Sequence, residues 1–178
     1  MTNPTRRRVT AGLAGGILAA AAARAAAAKE EDMAKQGPDP SAIPDYDKWQ
    51  LSEKEWKERL SPEAYAVLRR EATERRHTSP LNEEKRAGVY ACAGCGYDLF
   101  SSETKFDSGT GWPSFYDHLP NALDTKTDYK LLLPRTEYHC ARCGGHQGHV
   151  FEDGPAPTGL RYCNNGVALV FKPADTAL

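Results

Sequence analysis

The sequence predicts a mainly β fold: a single antiparallel β-sheet domain with two short N-terminal helices packed outside it. Three observations carry this. Beyond Gly88 the chain breaks into short β-forming segments separated by Gly and Pro, with no long helical pattern between them, and strands joined without crossover helices pair antiparallel. Four of the five cysteines fall into two matched pairs within that region, Cys92/Cys95 and Cys140/Cys143. Ahead of it, two segments carry helix-start signals.

Residues 1–28 read as a signal peptide of twin-arginine type. Thr5-Arg6-Arg7-Arg8-Val9-Thr10 is a basic start, and Ala11 to Ala23 is an apolar run of 13 residues, short of the roughly 20 that span a bilayer as a helix. Arg24 interrupts it, and Ala25 to Ala28 supplies the small residues a signal peptidase accepts. The alternative is an Ala-rich leader that stays attached. No other apolar stretch is long enough for a membrane span, so no stable membrane insertion is expected. The leader carries four of the 23 basic residues and no acidic one, which leaves 19 basic against 24 acidic side chains, a formal charge of −5. That balance argues against an electrostatic nucleic-acid binder. Residues 29–48 are charged and then Pro-rich (Pro38, Pro40, Pro44) and read as a flexible linker. One domain, 49–174, follows.

Ser52-Glu53-Lys54-Glu55 is a capping box that starts a helix at about Glu53, ending near Leu60. Ser61-Pro62 starts a second, running to about Glu71, with Tyr65, Leu68 and Ala72 on one face. Trp49 and Trp56 are expected to pack these helices onto the body. The strand candidates are Val89–Cys92, Tyr129–Leu133, Glu137–Cys140, Gly148–Phe151, Leu160–Cys163 and Val167–Phe171.

The two cysteine pairs share one form, Tyr-x-Cys-x-x-Cys-Gly, with 44 residues between them, and are the one internal repeat. A two-residue spacer turns both thiolates toward one ion, and the following Gly permits the tight turn. Two such knuckles complete a closed four-sulfur zinc shell of Cys92, Cys95, Cys140 and Cys143. Disulfides are the alternative, and export would favour them, but two matched knuckles point to structural zinc, one ion per chain.

Cys163 stands apart in Gly159-Leu160-Arg161-Tyr162-Cys163. A cysteine attacks as thiolate, which a cation or imidazole favours. Arg161 supplies the first locally, and His146 and His149 lie a short way upstream. The turn formers of 152–159 let two strands fold back and bring His149 toward Cys163. A lone cysteine is more often a small buried hydrophobe, while a free thiol in an exported protein leans the reading back toward chemistry. His146 and His149 also have the spacing of a metal pair, but the four thiolates account for the metal. Trp112 sits in a Gly-rich loop against Pro113, where it either presents its indole to an apolar group or fills core.

Taken together, Cys92-Ala93-Gly94-Cys95, Lys105 to Phe115 with Gly109-Thr110-Gly111-Trp112-Pro113, His146-Gln147-Gly148-His149-Val150-Phe151 with Asp153-Gly154-Pro155, and Gly159-Leu160-Arg161-Tyr162-Cys163 closely resemble the methionine sulfoxide reductase B family, from about Trp49 to Phe171. The resemblance implies an oxidoreductase on a mostly β fold that repairs oxidised peptides and proteins by reducing methionine R-sulfoxide to methionine. It implies that Cys163 attacks the sulfoxide sulfur and becomes a sulfenic acid. His149 helps protonate the departing oxygen with His146 alongside, Trp112 forms the pocket for the substrate methyl group, and Asn165 is a polar residue of the same site. The four knuckle cysteines match the family's zinc ligands.

Two departures from the family pattern matter. Many members carry a resolving cysteine two residues before the pocket Trp, and here that position is Thr110. An external thiol, a thioredoxin-like protein or a small one, is therefore expected to recycle Cys163. In Cys163-Asn164-Asn165-Gly166 the family usually has an apolar residue after Cys and Ser after Asn, which leaves the nucleophile intact and the local turn open. A twin-arginine leader exports folded proteins, so zinc would be loaded before the thiols meet an oxidising periplasm. The chain is expected to be a monomer there, serving repair under oxidative stress.

Overall fold

The computed structural model describes residues 37–130 and 134–174; the leader and cleavage site expected at 1–28 lie outside the described residues. Within the stretch read as a linker, two single 3-10 turns form at Pro40–Ala42 and Tyr46–Trp49, and Ile43 between them is buried.

Helices α1 (Glu53–Arg59) and α2 (Pro62–Arg70) start where their caps require. Ser52 N–H donates to Glu55 Oε2 at 2.8 Å and Glu55 N–H returns to Ser52 Oγ at 3.4 Å, so two backbone donors that the first turn leaves unpaired are satisfied. Ser61 Oγ accepts from Ala64 N–H at 3.1 Å. α2 ends on Glu71, which takes a left-handed φ of 55°. Its buried face is Ala64, Val67 and Leu68, centred one residue away from the expected stripe; Tyr65 and Ala72 flank it half-buried. Trp56 is buried and stacks on Trp49 at 6.3 Å.

Among the described residues nine strands form, antiparallel throughout, so the mainly β, antiparallel expectation is met, but they divide between two sheets. One has the order β2 (Asp98–Ser101), β1 (Gly88–Cys92), β9 (Leu169–Pro173). The other has the order β3 (Lys105–Phe106), β4 (Ser114–Phe115), β8 (Arg161–Asn164), β7 (His146–Phe151), β6 (Arg135–Cys140), β5 (Leu123–Asp128). The core between them is aromatic: Tyr90, Phe100, Phe115 and Tyr138 are fully buried, and Phe100 stacks on Phe115 with centroids 4.2 Å apart. Such pairs add about 0.5–1.5 kcal/mol beyond the area they bury.

The candidate strand at Tyr129–Leu133 is not where the fifth strand forms. That strand is β5, the polar run Leu-Asp-Thr-Lys-Thr-Asp before it, and Tyr129 beyond it is 76% exposed. Residues 131–133 lie outside the described residues. β9 begins at Leu169, because Gly166–Ala168 makes a 3-10 turn.

Candidate functional site

Both knuckles are built alike. Cys92 and Cys140 end β1 and β6, and the amide of the Gly after each pair returns to the carbonyl of its first cysteine: Gly96 N–H to Cys92 O at 2.7 Å and Gly144 N–H to Cys140 O at 2.8 Å. Those glycines have φ of 74° and 66°, a region a side chain disfavours. The turns bring the four buried sulfurs within 4.8 Å of one another, with Cys92···Cys143 at 3.7 Å and Cys95···Cys140 at 3.6 Å. Sulfurs at the corners of a tetrahedral zinc shell are about 3.8 Å apart, given Zn–S near 2.3 Å. No disulfide joins them. Hydrogen bonding among the sulfurs, reinforced by burial, pushes Cys92 and Cys140 well above the ordinary thiol range. Four thiolates this close need a cation. Gln147 Nε2 donates to Cys92 Sγ at 3.4 Å, and Arg69 Nη1 donates to Cys143 O at 2.8 Å, which orients the ligands from outside.

The second cluster is a single row across the six-stranded sheet. In register, Lys126 on β5 faces Glu137 on β6, Glu137 faces His149 on β7, His149 faces Cys163 on β8, and Cys163 faces Ser114 on β4. Directly opposed residues of antiparallel strands point to the same side of a sheet, so this register makes His149 and Cys163 cross-strand neighbours on one face. Gly148, opposite Asn164, makes the approach possible: a Cβ there would sit 1.8 Å from the Cys163 carbonyl oxygen.

Cys163 is free and partly buried. Burial raises its pKa, and the neighbouring Arg161 guanidinium and Thr110 hydroxyl oppose this. Arg161 is held by Asp153 through Nε and Nη2 at 2.8 and 2.9 Å and lies over the Phe151 ring. His149 Nε2 lies 2.8 Å from Asp128 Oδ2, and burial lowers the ring's pKa against the pull of that carboxylate. His146 Nδ1 lies 2.8 Å from the buried Glu137 Oε1. The two histidine rings meet edge to face at 5.6 Å.

Cys163, His149, Trp112 and Asn165 line one cavity of about 200 Å³, together with Thr73, Arg135, Gly148, Phe151 and Asn164. His146 is buried behind His149 and does not line it. Trp112 Nε1 donates to Glu74 O at 2.9 Å. The Asn165 amide is engaged at both ends, Nδ2 donating to Gln147 O and Oδ1 accepting from Glu74 N–H, each at 2.8 Å. A larger cleft of about 610 Å³ shares Trp112 with this cavity and runs among Glu84, Lys85 and Lys105, but no cysteine lines it.

Sequence reasoning missed Thr73, Glu74, Asp128 and Arg135. Asp128 and Arg135 carry a signal in hindsight, as an acid–base pair directly opposed on β5 and β6. Thr73 and Glu74 lie in an irregular segment with none.

The SelR domain matches residues 60–173. The chain is 57% identical over 125 residues to the peptide methionine sulfoxide reductase MsrB of Methanosarcina barkeri, covering 70% of this chain and 88% of that one. It is 55% identical over 126 residues to the protein of the same name from Leifsonia xyli, covering 70% and 91%, and 52% identical over 128 residues to that of Bradyrhizobium diazoefficiens, covering 71% and 92%. The knuckles are a buried zinc site of the kind this family carries. On these matches the chain belongs to the SelR domain family, that of the peptide methionine sulfoxide reductases MsrB.

Proposed function

We propose that the protein reduces methionine R-sulfoxide in peptides and proteins to methionine, with Cys163 as nucleophile. The observation that carries this is the direct pairing of Cys163 with His149 at the wall of a Trp-lined cavity. The Cys163 sulfur attacks the sulfoxide sulfur while His149 gives a proton to the sulfoxide oxygen. The oxygen passes to Cys163, so methionine sulfur is reduced by two electrons and Cys163 becomes the sulfenic acid. Trp112 supplies an apolar wall for the methyl group. His146, buried against Glu137, supports His149 from behind, and Asn165 fixes the backbone around the nucleophile.

An external thiol then attacks the sulfenic sulfur, releasing water and leaving a mixed disulfide; a second thiol displaces Cys163 and restores it. What supports an external thiol is that Thr110 occupies the place of a resolving cysteine and the four knuckle cysteines are committed to the metal. When bound, zinc contributes folding free energy by clamping β1 to β6. The leader supports export by the twin-arginine route as a folded monomer to the periplasm, where the enzyme repairs oxidised proteins.

The test mixes the protein with excess methionine sulfoxide and no reductant, and counts methionine released per chain with the epimers resolved. About one equivalent from the R form is expected, abolished by Cys163→Ser. No release overturns the reading.

A further inference from the structure

We propose that Asp128 is a positioning residue that fixes the tautomer of His149, keeping the proton on Nε2 and leaving Nδ1 as the nitrogen that exchanges protons with the cavity. This rests on the reading of His149 as the acid.

Asp128 is the last residue of β5, paired in register with Arg135, the first of β6. Its side chain is 5% exposed, and three donors converge on it. Lys130 N–H donates to Oδ1 at 2.9 Å, Arg135 Nη2 donates to Oδ2 at 2.6 Å, and His149 Nε2 lies 2.8 Å from Oδ2. The contact to His149 reaches diagonally across β6, since His149 itself is opposed by Glu137. Those donors hold the Asp128 carboxyl well below the usual carboxylate range, the Lys130 amide most strongly. An ionised carboxylate only accepts, so the bond to His149 exists only when Nε2 carries hydrogen. In the neutral ring the lone pair then sits on Nδ1.

The charged and titratable groups around His149 are Asp128 from β5, Arg135 and Glu137 from β6, His146 on its own strand and Cys163 from β8. Burial and the Arg135 and His146 charges pull its pKa down, and Asp128 is the carboxylate bonded to it that resists. Asp128 therefore does two things to one ring: it selects the tautomer, and it extends the pH range over which Nδ1 holds a proton. The same geometry gives Arg135 a part. A guanidinium sharing Oδ2 with the imidazole keeps that carboxylate turned toward the ring.

Two measurements on the full chain test this. Long-range nitrogen–proton NMR on the wild-type protein reads the His149 tautomer without reference to turnover, with Nε2–H expected; an Nδ1–H tautomer overturns the proposal whether or not the protein reduces sulfoxides. Single-turnover methionine release against pH, for wild type and Asp128→Asn, reads the consequence. The expected outcome for the variant is a rate about tenfold or more lower at neutral pH, an apparent KM within about twofold, and a His149 limb displaced to lower pH, with Asp128→Glu recovering part of the rate. An unchanged pH profile, or a loss confined to KM, overturns it. If Asp128→Asn lowers thermal stability too far to assay, the wild-type tautomer decides.

Discussion

The indole Nε1 of Trp112 donates to the main-chain carbonyl of Glu74 at 2.9 Å, so the cavity wall is fastened to the irregular segment that follows α2. Glu74 is clamped at two further points: its N–H donates to Asn165 Oδ1 at 2.8 Å, and its carboxylate Oε2 accepts from Gly166 N–H at 2.6 Å. One residue thus sets the wall and the turn behind Cys163 together. Trp112→Phe keeps an apolar ring and loses the anchor, so kcat/KM is expected to fall mainly through KM. Glu74→Ala leaves the buried Gly166 amide without the carboxylate, at a cost of about 1–3 kcal/mol in urea unfolding. A Trp112→Phe variant with unchanged KM and lower kcat would instead give the indole N–H a role in chemistry.

Thr110 Oγ1 is hydrogen-bonded to Ser108 Oγ at 2.8 Å, and its hydroxyl is among the groups that oppose the rise of the Cys163 pKa. A thiol placed there by Thr110→Cys is within reach of the sulfenic sulfur. After one turnover without reductant, the variant is expected to lose two titratable thiols and show a 110–163 disulfide on peptide mapping, whereas the wild type loses one and reacts with a sulfenic-acid trap. Finding an intramolecular Cys163 disulfide in the wild type would sink the external-thiol reading.

What could be read in advance divides by sequence distance. Each knuckle was legible because its two ligands and its Gly lie within five residues, and the His149–Cys163 meeting was legible because only turn formers separate their strands. The capping box of α1 and the Ser61-Pro62 start of α2 were legible for the same reason. β5 was not, since Asp-Thr-Lys-Thr-Asp has no apolar alternation and is recruited by pairing with β6. Glu74 was not, since its partner Asn165 is 91 residues away. Asn165 was read as a polar residue of the site from the resemblance, but not as one whose amide is spent on two backbone groups.

Zinc removal tests the knuckles directly. Because the metal joins the end of β1 to the end of β6, from different sheets, its loss should loosen both at once. Elemental analysis is expected to give one zinc per chain, and a strong chelator or Cys92→Ser to lower the unfolding temperature by well over 10 °C, given structural-zinc free energies of about 10 kcal/mol. Since the shell is closed, chelated protein that stays folded should still release methionine in a single turnover. Fast loss of activity from protein with unchanged near-UV circular dichroism would place the metal in the chemistry.

Glu71 brings two opposing effects to one position. It sits at the left-handed cap of α2, and its carboxylate pairs with Lys126 Nζ at 2.6 Å and with Lys130. Hydrogen bonds from those lysines lower its pKa from 4.5 to about 2. A group whose folded pKa is depressed contributes stability above its unfolded value and loses it as pH falls through the folded one, so this contribution fades between about pH 4.5 and 2. The side chain is 29% exposed, and solvent screening holds the pairs to under about 1 kcal/mol. Glu71→Gln is expected to cost that much at pH 7 and low salt, less in 1 M salt because screening shortens to about 3 Å, and progressively less as pH falls below about 4.5. Glu71→Gly loses the same pairs but relieves a left-handed φ of 55°, worth about 1–2 kcal/mol for a residue with a Cβ, against roughly 0.5–1 kcal/mol for the extra freedom glycine gives the unfolded chain. The glycine variant should therefore be the more stable of the two at every pH. Chemical denaturation at pH 7 and pH 3, at two salt concentrations, separates the charge contribution from the backbone one; a glycine variant less stable than the glutamine one would show that the cap is not strained.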